Sequence, residues 1–327
     1  MVLQEPLLVI LVRLVDRVPM PPPPRKRGRG RPRFYPDRLF LKALIIMILR
    51  RLHKVGAFLS VLEQPTAEMQ TMRSLLTQDD RYPTRRTFER RLKALPESLP
   101  AQIHCLGVHL LDLIVPWIEH GRAVAIDSTV LTAKGGVWHK KDREKGEVPH
   151  TSIDTQAHWT KSGWHGWVYG WKLHLVCVAA AIWLPLEARL TPANVADNEM
   201  APSLLDPLPA MVRFVLGDIH YNTEEIAHCC WRRGRELVTT QYGPYPHEDT
   251  GKEVRRVFHK LRSVAIENFN EHFKAIFDAH GQVPTRGESH TQRFALGAVW
   301  LYQVALLYRH ENGLPLNQGL KPFLKAA

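Results

Sequence analysis

Three carboxylates stand out by where they sit. Asp127 interrupts the short apolar run at residues 123–130 (AVAIDSTV). A lone ionised carboxylate in an apolar strand costs several kcal/mol unless it is paired or bound to a metal. Asp218 follows Gly217 at the carboxyl end of a second apolar run, residues 212–216, and open sheets bind ligands at such ends. Glu267 belongs to a helical stretch, residues 261–279, with Glu271 four residues on and Lys274 seven, spacings that share one helix face. Carboxylate oxygens are the ligands that Mg²⁺ and Mn²⁺ prefer. Two such ions about 4 Å apart activate a water or hydroxyl and stabilise the leaving oxygen in phosphodiester chemistry. On spacing alone the plainer alternative stays open: a strand-end Asp caps a turn, and a helical Glu faces water.

Positioning these acids needs a sheet that carries Asp127 beside Asp218. From residue 123 the hydrophobic period predicts strand, long loop, strand, strand, helix, strand, helix, strand, helix. Residues 171–180 and 182–190 are strand-like runs with almost nothing between them, which predicts a hairpin. Helices are expected at residues 199–208, 223–233, 261–279 and 294–308, and a further strand at 236–240. Three antiparallel strands ahead of the alternation argue against a doubly wound dinucleotide fold, and no GxGxxG or Walker A lysine motif occurs. The expectation is an α/β fold: an RNase H-like mixed sheet flanked by helices, with an N-terminal all-α DNA-binding region. In such a sheet the first strand lies beside the fourth, so Asp127 and Asp218 converge with Glu267 packed above.

The whole chain then divides into an amphipathic helix (1–18), a Pro-rich basic linker (19–35), a helical region (36–120), the RNase H-like domain (121–310) and a C-terminal tail (311–327). Apolar residues make up 45% of the 327, enough for a real core, which excludes global disorder. Four cysteines with no CxxC pair exclude a disulfide-framed scaffold and zinc ribbons. Of the net +12, residues 1–100 carry 20 basic and 9 acidic side chains, net +11, and the remainder carries 24 and 23, net +1. A neutral body with a basic front end points to a polyanion, most often nucleic acid. No apolar run approaches the ~20 residues of a spanning helix, and no signal-peptide pattern opens the chain. A cytoplasmic, nucleoid-associated protein is expected.

The front end carries two candidate DNA elements. Arg29 and Arg31 belong to an Arg-Gly-Arg-Pro core at residues 29–32, an extended form that fits the narrow A·T minor groove. A solvated basic linker is the alternative. Residues 83–93 (PTRRTFERRLK) have Phe88, Leu92 and Leu95 on one apolar face, with Arg85, Arg86 and Arg90 largely elsewhere. That predicts a recognition helix in a helix-turn-helix over about residues 39–95, the alternative being a solvated basic helix on a small bundle. Weaker constellations are His228-Cys229-Cys230, which lacks a second ligand pair, the charged loop at residues 138–145, and the tryptophans 159, 164, 167 and 171.

Five segments in order resemble the DDE transposases of bacterial insertion sequences. Residues 125–129 (AIDST) resemble the first Asp motif, 168–174 (VYGWKLH) the "YGYKLH" strand, 190–197 (LTPANVAD) the "TPANVHD" element, 216–222 (LGDIHYN) the second Asp motif, and 266–274 (IENFNEHFK) the Glu helix. The resemblance implies that Asp127, Asp218 and Glu267 are the catalytic, metal-holding acids for two Mg²⁺ or Mn²⁺ ions. It implies hydrolysis at the transposon 3′ end, strand transfer into target DNA, and a homodimer synapsing terminal inverted repeats. Lys172, Arg262 and Lys274 are then further DNA contacts. Two departures are present. The family's Arg four residues before the Glu is Ser263 here, leaving Arg262 or Arg256 as the phosphate contact, and Ile219 replaces the usual Lys after the second Asp. The rival readings are a catalytically inactive DNA-binding protein or regulator derived from a transposase, and a nuclease without strand transfer.

Overall fold

The computed structural model describes residues 5–22, 33–114, 122–163, 166–180, 182–239, 249–316 and 318–327, with backbone alone for 249–255. The chain forms two compact units: Met1–Leu106 with Gln292–Ala327, and Gly107–Thr291. The first opens on α1 (Leu7–Leu14), α2 (Asp37–Leu49), α3 (Val55–Leu62), α4 (Ala67–Leu75) and α5 (Arg85–Ala94), and α6 (Leu99–Ile114) leads into the second. Thr66 and Thr84 cap α4 and α5, accepting from the backbone N–H of Met69 and Thr87, and so satisfy otherwise orphaned amides. Phe40, Phe58 and Phe88 are buried against one another, with ring centroids 5.8 and 5.4 Å from Phe88. Residues 76–84 join α4 to α5, a longer connection than the 3–4-residue turn of a helix-turn-helix.

The second unit contains one six-stranded sheet. Its strands are β1 (Ala123–Thr132), β2 (His158–Ser162), β3 (Gly166–Val178), β4 (Pro185–Pro192), β5 (Phe214–Gly217) and β6 (Glu236–Thr239), with the short α7 (Lys140–Glu144) before β2. β3 pairs antiparallel with β1, β2 and β4, while β1, β5 and β6 run parallel. The order is β2-β3-β1-β5-β6 with β4 also paired to β3, and it sets the first predicted strand (β1) beside the fourth (β5), as the RNase H-like reading expects. β3 begins five residues earlier than its sequence pattern predicts, and its extra length pairs with β2. Gly170 lies where β3 approaches β1 closely, and an added Cβ would stand 2.1 Å from the Leu131 carbonyl oxygen. Helices α8 (Asp197–Leu205) and α9 (Glu224–Trp231) follow β4 and β5. The predicted helix at residues 261–279 is three elements: α10 (Asp249–Arg262), a π turn (Ser263–Glu267) and α11 (Asn268–Phe277).

The chain ends on α12 (Glu288–Glu311) and α13 (Leu320–Ala326). From Phe294 to Leu307 nearly every side chain of α12 is buried, as expected of a helix apolar on all sides. In the first unit Gln303 donates to the Ile103 carbonyl at 2.9 Å. Gly297 lets the helix approach α2: a Cβ there would lie 2.8 Å from Leu44 Cδ2 and 3.0 Å from Ile48 Cδ1. Residues 292–310, read from sequence as the end of the RNase H-like domain, thus cluster with the N-terminal helices. Among the described residues no helix is long and apolar enough to cross a membrane.

Candidate active site

Asp127 lies on β1 opposite Leu175 of β3, and β1 runs parallel to β5 through Ala123–Phe214, Val124–Val215 and Ala125–Leu216. Continued two residues, that register sets Asp127 abreast of Asp218 on neighbouring strands, whose spacing is about 4.8 Å. β5 stops at Gly217 because the chain folds straight back: Tyr221 packs so closely that a Cβ on Gly217 would meet Tyr221 Cβ at 2.9 Å. Asp218 caps the resulting 3₁₀ turn (Ile219–Tyr221), its Oδ1 accepting the His220 N–H at 2.9 Å. The plain capping role and the candidate catalytic one thus coexist in one side chain.

Glu267 closes the π turn. Its Oε1 accepts from Arg262 Nη2 at 2.8 Å and from Ser263 Oγ at 3.1 Å. The buried Arg262 also brings Nη1 to 3.6 Å from Asp127 Oδ2. In an α-helix residues five apart diverge, whereas the wider i→i+5 turn stacks them. The π turn therefore gives Arg262 the facing position that a residue four before Glu267 would hold in a regular helix. Of the two arginines left open by sequence, Arg262 is the one that faces these acids; Arg256 is exposed on α10, six residues further back. The Asp127 carboxyl is pushed up to about 7, first by burial; the Ser128 N–H and Arg262 oppose the rise, and the Asp218 and Asp197 charges add to it. Two mutually repelling carboxylates, one within β1 and one just beyond the end of β5, are a donor set suited to a hard divalent cation. Among the described residues no group of three His, Cys, Asp or Glu is gathered closely enough to hold an ion. Glu267 faces Arg262 instead, and would join Asp127 and Asp218 only on releasing it.

Lys172 and His174 do not reach this corner. Strand alternation turns them to the face of β3 opposite Leu175 and hence opposite Asp127. Lys172 Nζ donates to the Val195 carbonyl at 3.0 Å and pairs with Asp197 at 3.2 Å. His174 is fully buried, with Nε2 2.8 Å from Thr191 Oγ1 and Nδ1 3.5 Å from Asp197 Oδ1. Burial lowers its pKa to about 4 against the pull of Asp197, with Lys172 assisting the fall. Sequence reasoning missed this network. Its signal was available: two basic side chains in an apolar strand need partners, and residues 190–197 (LTPANVAD) supply Thr191 and Asp197. Lys274 lies half-buried on α11, its pKa lowered by burial against the pull of Glu271.

In the first unit Arg85 is exposed and pairs with Glu89 at 2.8 Å, and Arg86 and Arg90 are exposed. Arg29 and Arg31 fall outside the described residues. The weaker constellations resolve simply. Cys229 and Cys230 are buried and free. Trp171 is buried, Trp159 donates to the Trp138 carbonyl at 3.0 Å, Trp167 is exposed, and Trp164 lies outside the described residues.

Residues 119–304 match the family model described as a transposase DDE domain. The chain belongs to this transposase family. Asp127, Asp218 and Glu267 all fall within the matched span of the DDE domain. A piggyBac transposase synaptic complex with hairpin DNA is similar at 9% identity, over 96% of this chain and 74% of that one, with a TM-score of 0.38. A pre-cleavage Mos1 transpososome is similar at 12% identity, over 86% of this chain and 81% of that one, with a TM-score of 0.22. No curated protein matches the chain.

Proposed function

We propose that this transposase cuts DNA at transposon ends and joins the freed 3′ ends to target DNA, with Asp127, Asp218 and Glu267 as its acids. The observation that carries this reading is the β1–β5 register, paired through Ala125–Leu216; carried on two residues, it leads from there to Asp127 on one strand and Asp218 beyond the end of the other. Asp127 and Asp218 would hold the divalent ion, Mg²⁺ or Mn²⁺, and Glu267 would complete the set for a second. When bound, such ions activate the attacking oxygen and stabilise the leaving one. The chain's own residues do the positioning. Arg262, released from Glu267, presents its planar guanidinium to the phosphate, for which a bidentate fork is suited. Asp127 would serve as the ionised carboxylate, the form that a bound cation favours against the burial that otherwise disfavours its charge. Its hydrogen bond from the Ser128 N–H at 2.8 Å fixes which oxygen faces the sheet edge. Arg85, Arg86 and Arg90, with Arg29 and Arg31 of the linker, engage the DNA duplex, and Lys274 lies two helical turns beyond Glu267 for the same strand. Two copies synapsing paired inverted repeats complete the proposal.

A second reading, a DNA-binding derivative without catalysis, is favoured by the Arg262 cation between Asp127 and Glu267. Calorimetry with Mn²⁺ and short duplex DNA separates the two. Millimolar-or-tighter Mn²⁺ binding that disappears in Asp127→Ala supports the catalytic reading. Equal behaviour of the two proteins removes Asp127 from metal binding and leaves the DNA-binding derivative. A strand-joining assay on supercoiled plasmid then distinguishes a transposase from a nuclease, which cuts without joining.

A further inference from the structure

A half-open cavity of about 580 Å³ lies between α5 and residues 33–35, lined by Arg33, Phe34, Tyr35, Thr87, Arg90 and Arg91. Its size falls in the range of about 300–1,000 Å³ typical of small-ligand pockets. Three guanidinium groups and two aromatic rings thus line it. Asp37 is engaged by Arg91 and lies 3.5 Å from Arg33. Arg90 is exposed, with no acidic partner among the described residues. The cleft therefore keeps a positive balance. Arg91 is held from behind, with Cζ 4.5 Å over the Phe40 ring. Phe34 stands edge-on to Tyr35 at 4.9 Å and is 45% exposed, an apolar ring left facing water. Arg81 lies 5.4 Å over that ring and adds a fourth cation.

We infer that this cleft takes a nucleotide: its phosphate on Arg33 and Arg90, its base against Phe34 and Tyr35. Guanidinium groups suit phosphate oxygens, and an exposed aromatic ring beside them suits an unpaired base, whatever its sequence. A free mononucleotide offers the same chemistry as a nucleotide of bound DNA. The surplus of positive charge in residues 1–100 favours the polymer, whose successive phosphates it attracts. The source is therefore DNA with a locally unstacked nucleotide. This rests on the reading of residues 36–120 as the DNA-binding region.

The test uses the full chain and a labelled duplex with a short single-stranded 3′ tail carrying 5-iododeoxyuridine. Binding is read by fluorescence anisotropy, contact by photocrosslinking and mass spectrometry, folding by thermal melting. The expected result is a crosslink at Phe34 or Tyr35, with a five-fold or greater loss of affinity in Arg90→Gln, in Phe34→Leu, and in Ala94→Phe, which fills the cleft without removing charge. Phe34→Leu alters an exposed side chain and keeps the test decisive should Ala94→Phe fail to fold. Normal DNA affinity in all folded variants, with no crosslink at residues 34–35, overturns the cleft while leaving the DNA-binding reading standing. Wild-type protein that binds no DNA overturns both. Thymidine monophosphate binding the cleft while the DNA tail does not crosslink there overturns DNA as the source.

Discussion

Arg262 is a single side chain that answers two acids at once. Removing it leaves Asp127 half-buried without its cation and Glu267 with only Ser263. In chelator, Arg262→Ala is expected to lower unfolding stability by about 1–2 kcal/mol, less than stripping one partner from a fully buried ion pair, because solvent screens the half-exposed Glu267. Added Mn²⁺ should raise its melting temperature by more than it raises the wild type's, because a divalent cation then meets no competing guanidinium. A smaller rise than in wild type would remove the idea that Arg262 occupies the cation's place. His174 makes a separate prediction. Its folded pKa, about 4, lies below the ordinary value of 6.5, so the folded protein prefers it neutral. Stability from this residue is then fully present above about pH 6.5 and is lost as pH falls through 4. The groups facing it are Thr191, Asp197 and Lys172. Denaturant titrations between pH 4 and 7 should show a shallower acid-side slope for His174→Gln than for wild type. Parallel slopes would show that His174 does not titrate as its burial requires.

At the level of elements, the π turn is what sets Arg262 facing Glu267. It places one residue more than an α-helix would between Arg262 and Glu267, yet keeps them facing. Deleting Val264, which is 39% exposed in this turn, should convert it to regular α-helix and bring Arg262 and the glutamate to the facing i, i+4 spacing. The deletion is expected to cost less than about 1 kcal/mol and to leave Mn²⁺ affinity within two-fold. In an ordinary α-helix a one-residue deletion rotates everything beyond it by about 100°, which here would bury the wrong face of α11. A collapse in stability would therefore show that the turn is not a removable insertion. The predicted helix at residues 261–279 was legible as a helix because Ile266, Phe269, Phe273 and Phe277 recur at helical spacing. The π turn was not legible, since its i→i+5 bonds leave no composition signal. β2 was read as part of a long loop for a similar reason. It is five residues long with no fully buried position, so it lacks the alternation that marks a strand.

At the scale of the molecule, the first unit is assembled from both ends of the chain. A chain ending at Thr291 lacks α12 beyond that point, and with it the buried Trp300, Leu301, Val304 and Leu307. Losing one such side chain costs about 2–5 kcal/mol, and a domain holds only about 5–15 kcal/mol in total. The truncated protein is therefore expected to have residues 1–106 unfolded. Limited proteolysis with mass spectrometry should find rapid cuts there, and protection of that region would contradict the assignment. The charge asymmetry belongs to this scale too, because a surplus gathered in residues 1–100 favours a polyanion through salt-sensitive attraction rather than through any detail of the fold.

The amino-acid sequence alone determined the chemistry on offer: three acids in the right order, a basic front end, and the strand pattern of an RNase H-like sheet. Those features depend on residue type and short-range period, which a chain carries before it folds. Tertiary structure decided which groups meet. Register between strands some ninety residues apart set Asp127 beside Asp218. Strand alternation turned Lys172 away from them toward Asp197. A π turn chose Arg262 over Arg256, and the packing of α5 against residues 33–35 made a cleft of scattered arginines. Each depends on partners distant in the chain, and pairing between distant segments is fixed only when one common core selects a single register for them all.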